Sequence, residues 1–249
     1  MHWLFLRGLA REQRHWGEFP KTFERLVPAS HAHCLDLPGA GTEITTKAPL
    51  VVRDVVADVR ARWQQLKQQH PGPWGLLAIS FGGMVAQEWA GLYPTDFERV
   101  VLINTSAANL SVPWKRLDYR QLPGVVSALL ERDREKRERK ILGMTTRGSA
   151  DLDRIAHEWS SYQVDRPTPR ATALRQLLAA TRFRAPARID TNVLILSGGG
   201  DPFTDPSCPE RLSAHYGAPL RRHPTGGHDL SIDAPEWIAE QVRDWVAGS

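Results

Sequence analysis

Short runs of consecutive apolar residues alternate along the chain with longer stretches in which apolar positions recur every three or four residues. The continuous runs predict strands at His2 to Leu6, Ala32 to Leu35, Gly75 to Ile79, Arg99 to Asn104 and Thr191 to Ser197, with a weaker one at Ala218 to His223. Helical spacing predicts helices over Arg14 to Leu26, begun or broken at Pro20, and over Leu50 to Gln69, closed by Pro71 and Pro73. Two more are predicted at Cys208 to Tyr216 and Pro235 to Val246. Strands that are apolar throughout must be covered on both faces, and strands alternating with helices pair in parallel. The pattern therefore predicts an α/β protein built on a mainly parallel sheet of about six strands flanked by helices.

The alternation stops between Ala107 and Ala187. That segment reads as helical, including Val125 to Leu142 and Leu152 to Tyr162, and is expected to form a helical lid (107–187) inserted into a core of residues 1–106 and 188–249.

One break in the pattern is abrupt. The run Trp74-Gly-Leu-Leu-Ala-Ile ends at Ser80, and helical spacing restarts through Val85, Trp89 and Leu92 after Gly82 and Gly83. Small residues on both sides let a strand reverse into a helix over about two residues, a turn that pushes the serine hydroxyl out of the fold. Two more loops follow predicted strands and carry chemistry: Gly198-Gly-Gly-Asp201-Pro and Gly226-Gly-His228-Asp229. Open α/β sheets hold their ligands at such strand ends.

Composition narrows the class without identifying it. In 249 residues, 41% are hydrophobic and 24% charged, which fits an ordinary globular chain with a sizeable core. The net charge of +4 is too small to indicate nucleic-acid binding. Cys34 and Cys208 lie far apart without C-x-x-C spacing, so neither a zinc site nor a disulfide framework is suggested. The apolar residues before Arg7 are too few for a signal sequence or a membrane span, and the expected location is the cytoplasm.

A serine hydroxyl becomes a useful nucleophile only when a base takes its proton and a carboxylate orients that base. The order Ser80, Asp201, His228 is that of the α/β-hydrolases. The chain resembles compact members of that family, of the esterase and carrier-protein methyl-esterase type. Ala78-Ile-Ser80-Phe-Gly-Gly-Met-Val-Ala-Gln, Asp36-Leu-Pro-Gly39, Gly-Gly-Gly-Asp201-Pro-Phe and Gly-Gly-His228 carry the resemblance. It implies Ser80 as nucleophile, His228 as general base and Asp201 as its orienting acid, with an oxyanion hole made by the backbone amides of Phe81 and Leu9. It implies no metal and no organic cofactor. Two positions depart from the family pattern: Ala78 stands where Gly-x-Ser-x-Gly has its first glycine, and Arg7 stands in the usual His-Gly after the first strand. The chain also opens on that strand, so about six strands are expected where relatives usually have eight.

The expected substrate is a small-molecule carboxylic ester, or an acyl chain on an acidic carrier protein. A thioester or C–C bond hydrolase would use the same triad, and a non-catalytic member would merely bind a ligand in the pocket. Asp201 is preferred to Asp205 because it directly follows the glycine run, and Asp229 is read as a cap or solvent-facing residue. His15 and Trp16, behind the oxyanion loop, either line the cleft or pack beneath it. His31 and His33 could place two imidazoles on one strand face, but no carboxylate or cysteine cluster accompanies them, so they are read as non-ligating. The run Arg132 to Lys140 holds six basic and three acidic residues and is read as a solvated helix face, with Arg134, Arg137 and Arg139 as candidates for steering an acidic carrier. Trp114, Tyr119, Trp159 and Tyr162 are the aromatic residues of the expected lid whose placement the pattern leaves open.

Overall fold

The computed structural model describes residues 1–148 and 151–248; positions 149–150 of the expected insertion and the last residue of the expected core lie outside these. In chain order the elements are β1 (His2–Leu6), α1 (Phe19–Leu26), β2 (His31–Cys34), α2 (Val52–Gln69), β3 (Trp74–Ile79), α3 (Phe81–Leu92) and β4 (Arg99–Ile103). There follow α4 (Pro113–Arg116), α5 (Leu122–Leu130), α6 (Arg134–Thr145), α7 (Leu152–Asp165) and α8 (Arg170–Arg182). The chain then returns through β5 (Asn192–Gly198), α9 (Ser207–Tyr216), β6 (Leu220–His223), α10 (Leu230–Asp233) and α11 (Pro235–Ala247).

All six strands are parallel, in the order β2-β1-β3-β4-β5-β6. Successive side chains of a strand point to opposite faces, which explains why these strands read as unbroken apolar runs. Leu4, Leu6, Leu76, Ala78, Val100 and Leu102 face α2 and α3 on one side. Trp3, Phe5, Leu77, Ile79, Val101 and Ile103 face α1 and α11 on the other. Both layers are buried. The strand order reverses between β1 and β3, so a crevice opens beyond their carboxyl ends.

Two expected helices are shorter than the apolar spacing suggested. Arg14 to Leu26 splits into a 3₁₀ turn at Gln13–Trp16 and α1, because Gly17 takes a positive φ of 53° and Pro20 sits in the first turn of the new helix. Val125 to Leu142 is broken between α5 and α6. There the Glu131 carboxylate accepts from the Arg132 and Asp133 amides, and the Asp133 carboxylate accepts from the Lys136 amide. Acidic side chains that bond nearby backbone N–H groups end one helix and cap the next.

Helices α4 to α8 lie between β4 and β5. Cys34 and Cys208 are free thiols. Among the described residues no helix is long and apolar enough to cross a membrane.

Candidate active site

Ser80 sits at the corner between β3 and α3 with φ 56° and ψ −117°, a left-handed conformation rare for a residue with a side chain. Its neighbours hold it there. The Ser80 amide donates to the Ile103 carbonyl at 2.8 Å, and its carbonyl accepts from the Met84 amide at 3.2 Å and the Thr105 hydroxyl at 2.8 Å. Gly82 allows the start of α3 to lie on the end of β1: a Cβ there would stand 2.5 Å from the carbonyl oxygens of Leu6 and Arg7. Ala78 is fully buried on the α2–α3 face, so its methyl group, where the family pattern has glycine, is accommodated.

The turn aims the Ser80 hydroxyl at His228. Ser80 Oγ lies 2.9 Å from His228 Nε2, and His228 Nδ1 lies 2.8 Å from Asp201 Oδ2. Bonded this way, the neutral ring carries its proton on Nδ1 and accepts from the serine at Nε2. The second oxygen of Asp201 accepts from the Phe203 and Thr204 amides, which fixes the carboxylate. Asp205, the competing acid, instead bonds the Ser207 amide at the start of α9.

Burial lowers the His228 pKa, but the charge of Asp201, its hydrogen bond and the charge of Asp229 together outweigh that, and the net shift is upward from 6.5. A hydroxyl bonded to an imidazole that a carboxylate orients can lose its proton while attacking an electrophilic carbon.

The two residues assigned by resemblance to an oxyanion hole are Phe81, which directly follows Ser80, and Leu9, in the loop after β1. Phe81 opens α3, so its N–H belongs to the first turn, whose amides have no partner within the helix and carry the positive end of the helix dipole. The loop bearing Leu9 touches the serine: a Cβ on Gly8 would lie 3.3 Å from Ser80 Cβ and 3.7 Å from its Oγ. Gln176 of α8 holds that loop, its Oε1 accepting from the Ala10 amide at 2.8 Å and its Nε2 donating to the Pro38 carbonyl.

Asp229 stands at the N-cap position of α10, as one reading of the sequence had it, but its side chain makes no capping hydrogen bond and does not face solvent. It is buried and takes a two-pronged ion pair from Arg7, at 3.0 and 2.6 Å, while Arg7 also donates to Ser231 at 2.9 Å. Burial raises the pKa of its carboxyl, but the Arg7 charge and hydrogen bond outweigh this and hold it below its ordinary value. The arginine in the loop after β1 thus finds its counter-charge beside the histidine, 222 residues later in the chain. Asn104 went unnoticed in the sequence for the same reason. At the end of β4 its side-chain amide donates to the Gly227 and His228 carbonyls and its oxygen accepts from the Gly198 amide, tying the acid loop to the histidine loop. Its one sequence-level signal is an asparagine ending an apolar strand.

His15 and Trp16 pack beneath the loop and do not line the cleft. His15 is buried edge-on against Trp159 and Tyr162, and burial with the charges of Arg11 and Arg7 pushes its pKa well down. Trp16 packs on Phe5 and Phe19. Trp114 and Tyr119 are exposed.

The basic run is not a uniformly solvated face. Glu138 points inward to a buried ion pair with Arg11 at 2.5 Å. Arg139 is engaged by Glu135 and Asp153, and Arg137 lines a cavity of about 190 Å³. Apolar side chains, among them Leu9, Val125, Leu129, Ile141, Met144 and Phe203, form much of the wall of that cavity.

A parallel sheet with this serine, histidine and carboxylate at its carboxyl edge defines an α/β hydrolase. The chain belongs to the alpha/beta hydrolase family, whose model matches residues 3–241. It is similar to the pimeloyl-[acyl-carrier protein] methyl ester esterase of Xanthomonas oryzae pv. oryzae, 26% identical over 243 residues that cover 94% of this chain and 91% of the relative. It is also similar to the protein of the same name from Chromobacterium violaceum, 27% identical over 195 residues that cover 76% of this chain and 73% of the relative. Among solved structures, a thermophilic esterase from Thermogutta terrifontis superposes with a TM-score of 0.72 at 16% identity, covering 100% of this chain and 90% of that one. A lipase-esterase related protein from Clostridium acetobutylicum gives 0.71 at 18%, with coverage of 98% and 93%. At these identities the structural likenesses speak to the fold alone.

Proposed function

We propose that the protein is a serine esterase that hydrolyses carboxylic esters through an acyl-enzyme on Ser80. The observation that carries this reading is the unbroken relay Ser80 Oγ, His228, Asp201, with both contacts under 3 Å. Ser80 Oγ attacks the ester carbonyl carbon as its proton passes to His228 Nε2. The oxyanion accepts hydrogen bonds from the Phe81 and Leu9 amides, an interaction worth several kcal/mol of barrier in comparable sites. As the tetrahedral adduct collapses, the C–O bond to the alcohol breaks and the leaving oxygen takes the proton from His228. Water then attacks the acyl-enzyme with the histidine again as base, releasing the acid and restoring Ser80. Asp201 keeps the ring oriented and balances the imidazolium.

Helices α4 to α8 act in this reading as a lid, and the apolar cavity beside Leu9 takes the acyl chain. A carrier-bound acyl methyl ester is the preferred substrate, since the similar curated proteins bear the name of such an esterase. Arg134 is then a better candidate for steering the carrier than Arg139, which acidic neighbours already engage.

The test is turnover of an ester panel graded by acyl length, including free methyl esters and carrier-bound ones, beside labelling by a fluorophosphonate. Ser80→Ala should abolish labelling and lower ester turnover by about 10³-fold or more with the fold intact. Unchanged turnover in that variant would dispose of the mechanism, and labelling without turnover of any ester would move the assignment to another acyl class.

A further inference from the structure

The edge of the sheet opposite Ser80 gathers histidines from three separate elements. His2 is the first residue of β1, His33 lies in β2 and His70 follows the last turn of α2. One ring nitrogen from each lies within 4.8 Å of the other two. His2 Nδ1 and His33 Nε2 are 3.1 Å apart. The rings are tilted against one another, with centroid distances of 4.6 Å for His33 and His70, 5.3 Å for His2 and His33, and 5.4 Å for His2 and His70. Trp74 forms one wall, 5.1 Å from His2 and 5.0 Å from His33. All three imidazoles are only partly buried, so an ion has a path in from solvent.

We propose that His2, His33 and His70 form a binding site for one divalent transition-metal ion, of which Zn(II) is the natural candidate. The donor set decides the class of ion. Three imidazoles suit Zn(II), Co(II), Ni(II) or Cu(II), whereas Mg(II) and Ca(II) require oxygen ligands. Zn–N bonds of about 2.0–2.1 Å in a tetrahedron put the nitrogens about 3.3 Å apart. The His2–His33 pair already meets that spacing. His70, at the end of a helix, needs only a small side-chain rotation, and water completes the fourth position.

The sequence concealed this site because only the parallel pairing of β1 with β2 and the return of α2 unite positions 2, 33 and 70. His31, the apparent partner of His33, is on the same strand but outside the trio. The site is structural in character. It clips the edge strand and the end of α2 to β1, and it lies at the amino ends of the strands, on the order of 15 Å from the carboxyl edge that carries Ser80.

The experiment uses the untagged full chain freed of metal by a chelator. Zn(II) is titrated by calorimetry, Co(II) is followed by its visible absorption, and Tm is measured with and without Zn(II). One ion per chain should bind, Co(II) should show the intense bands of a four- or five-coordinate site, and saturating Zn(II) should raise Tm by about 5–10 °C. His33→Gln and His70→Gln, tested separately and checked for folding by circular dichroism, should each weaken binding by about a hundredfold or more, since loss of even an outer-shell partner costs 10–100-fold. His157→Ala, an exposed histidine outside the trio, should change nothing. Absence of stoichiometric binding in the unaltered chain, or binding that survives both cluster substitutions, overturns the proposal. None of these readouts depends on ester turnover.

Discussion

Ser80 keeps a backbone conformation that costs on the order of 1–3 kcal/mol for a residue with a side chain, and hydrogen bonds between its backbone and Ile103, Met84 and Thr105 hold that turn. In the proposed mechanism the histidine it faces sets the pH dependence. With the His228 pKa raised above its ordinary 6.5, the neutral base is lost as pH falls through that higher value. The acid limb of kcat/KM should therefore lie above pH 6.5, measured with a neutral ester. Asp201→Asn removes the main group that raises it, so the limb should move to lower pH while kcat drops by about 10³–10⁴-fold. A limb that stays in place would mean the titrating group is not His228. Asp229 contributes to the same shift, yet its larger role is with Arg7. Asp229→Ala leaves a buried guanidinium without its counter-charge and should cost about 3–5 kcal/mol by chemical denaturation. Replacing both, as Arg7→Met with Asp229→Leu, should cost clearly less than Asp229→Ala alone.

At the scale of elements, the site depends on how closely the strand ends approach one another. The start of α3 rests on the last carbonyls of β1 only because residue 82 has no side chain. Gly82→Ala should push the two apart, with a stability loss of about 1–3 kcal/mol. Turnover should fall further than stability accounts for, because the Phe81 amide moves with the helix. The check is kcat/KM of the folded fraction against a small ester. The alternating apolar faces of β1, β3 and β4 made those strands legible from the sequence. The helix breaks at Gly17 and at Glu131 to Asp133 were less so, since local hydrogen bonds override hydrophobic spacing there.

Across the whole molecule, the segment between β4 and β5 is joined to the core through the loop after β1. Arg11 leaves that loop, pairs with Glu138 of α6 and lies over the Trp159 ring of α7 at 4.4 Å. Glu138→Ala should loosen that joint, costing about 3 kcal/mol through the stranded arginine. It should also raise the KM for long acyl esters more than for acetate esters, because the cavity between these helices and Leu9 widens. Limited proteolysis should find new cleavage within α5 to α7 and none in the sheet. Cleavage in the sheet instead would show that the segment does not move independently of the core.

Apolar patterning and glycine runs made legible the alternation of strands and helices, the class of sheet it implies and the three loops carrying Ser80, Asp201 and His228, because each is marked by residues close together in the chain. Parallel pairing and burial decided the rest. The pairing of Arg7 with Asp229, the bridge made by Asn104, the inward turn of Glu138 and the meeting of His2, His33 and His70 all join residues distant in sequence. A charge in the sequence reads the same whether it meets water or a partner. Only folding, which removes the water, determines which partner it must have.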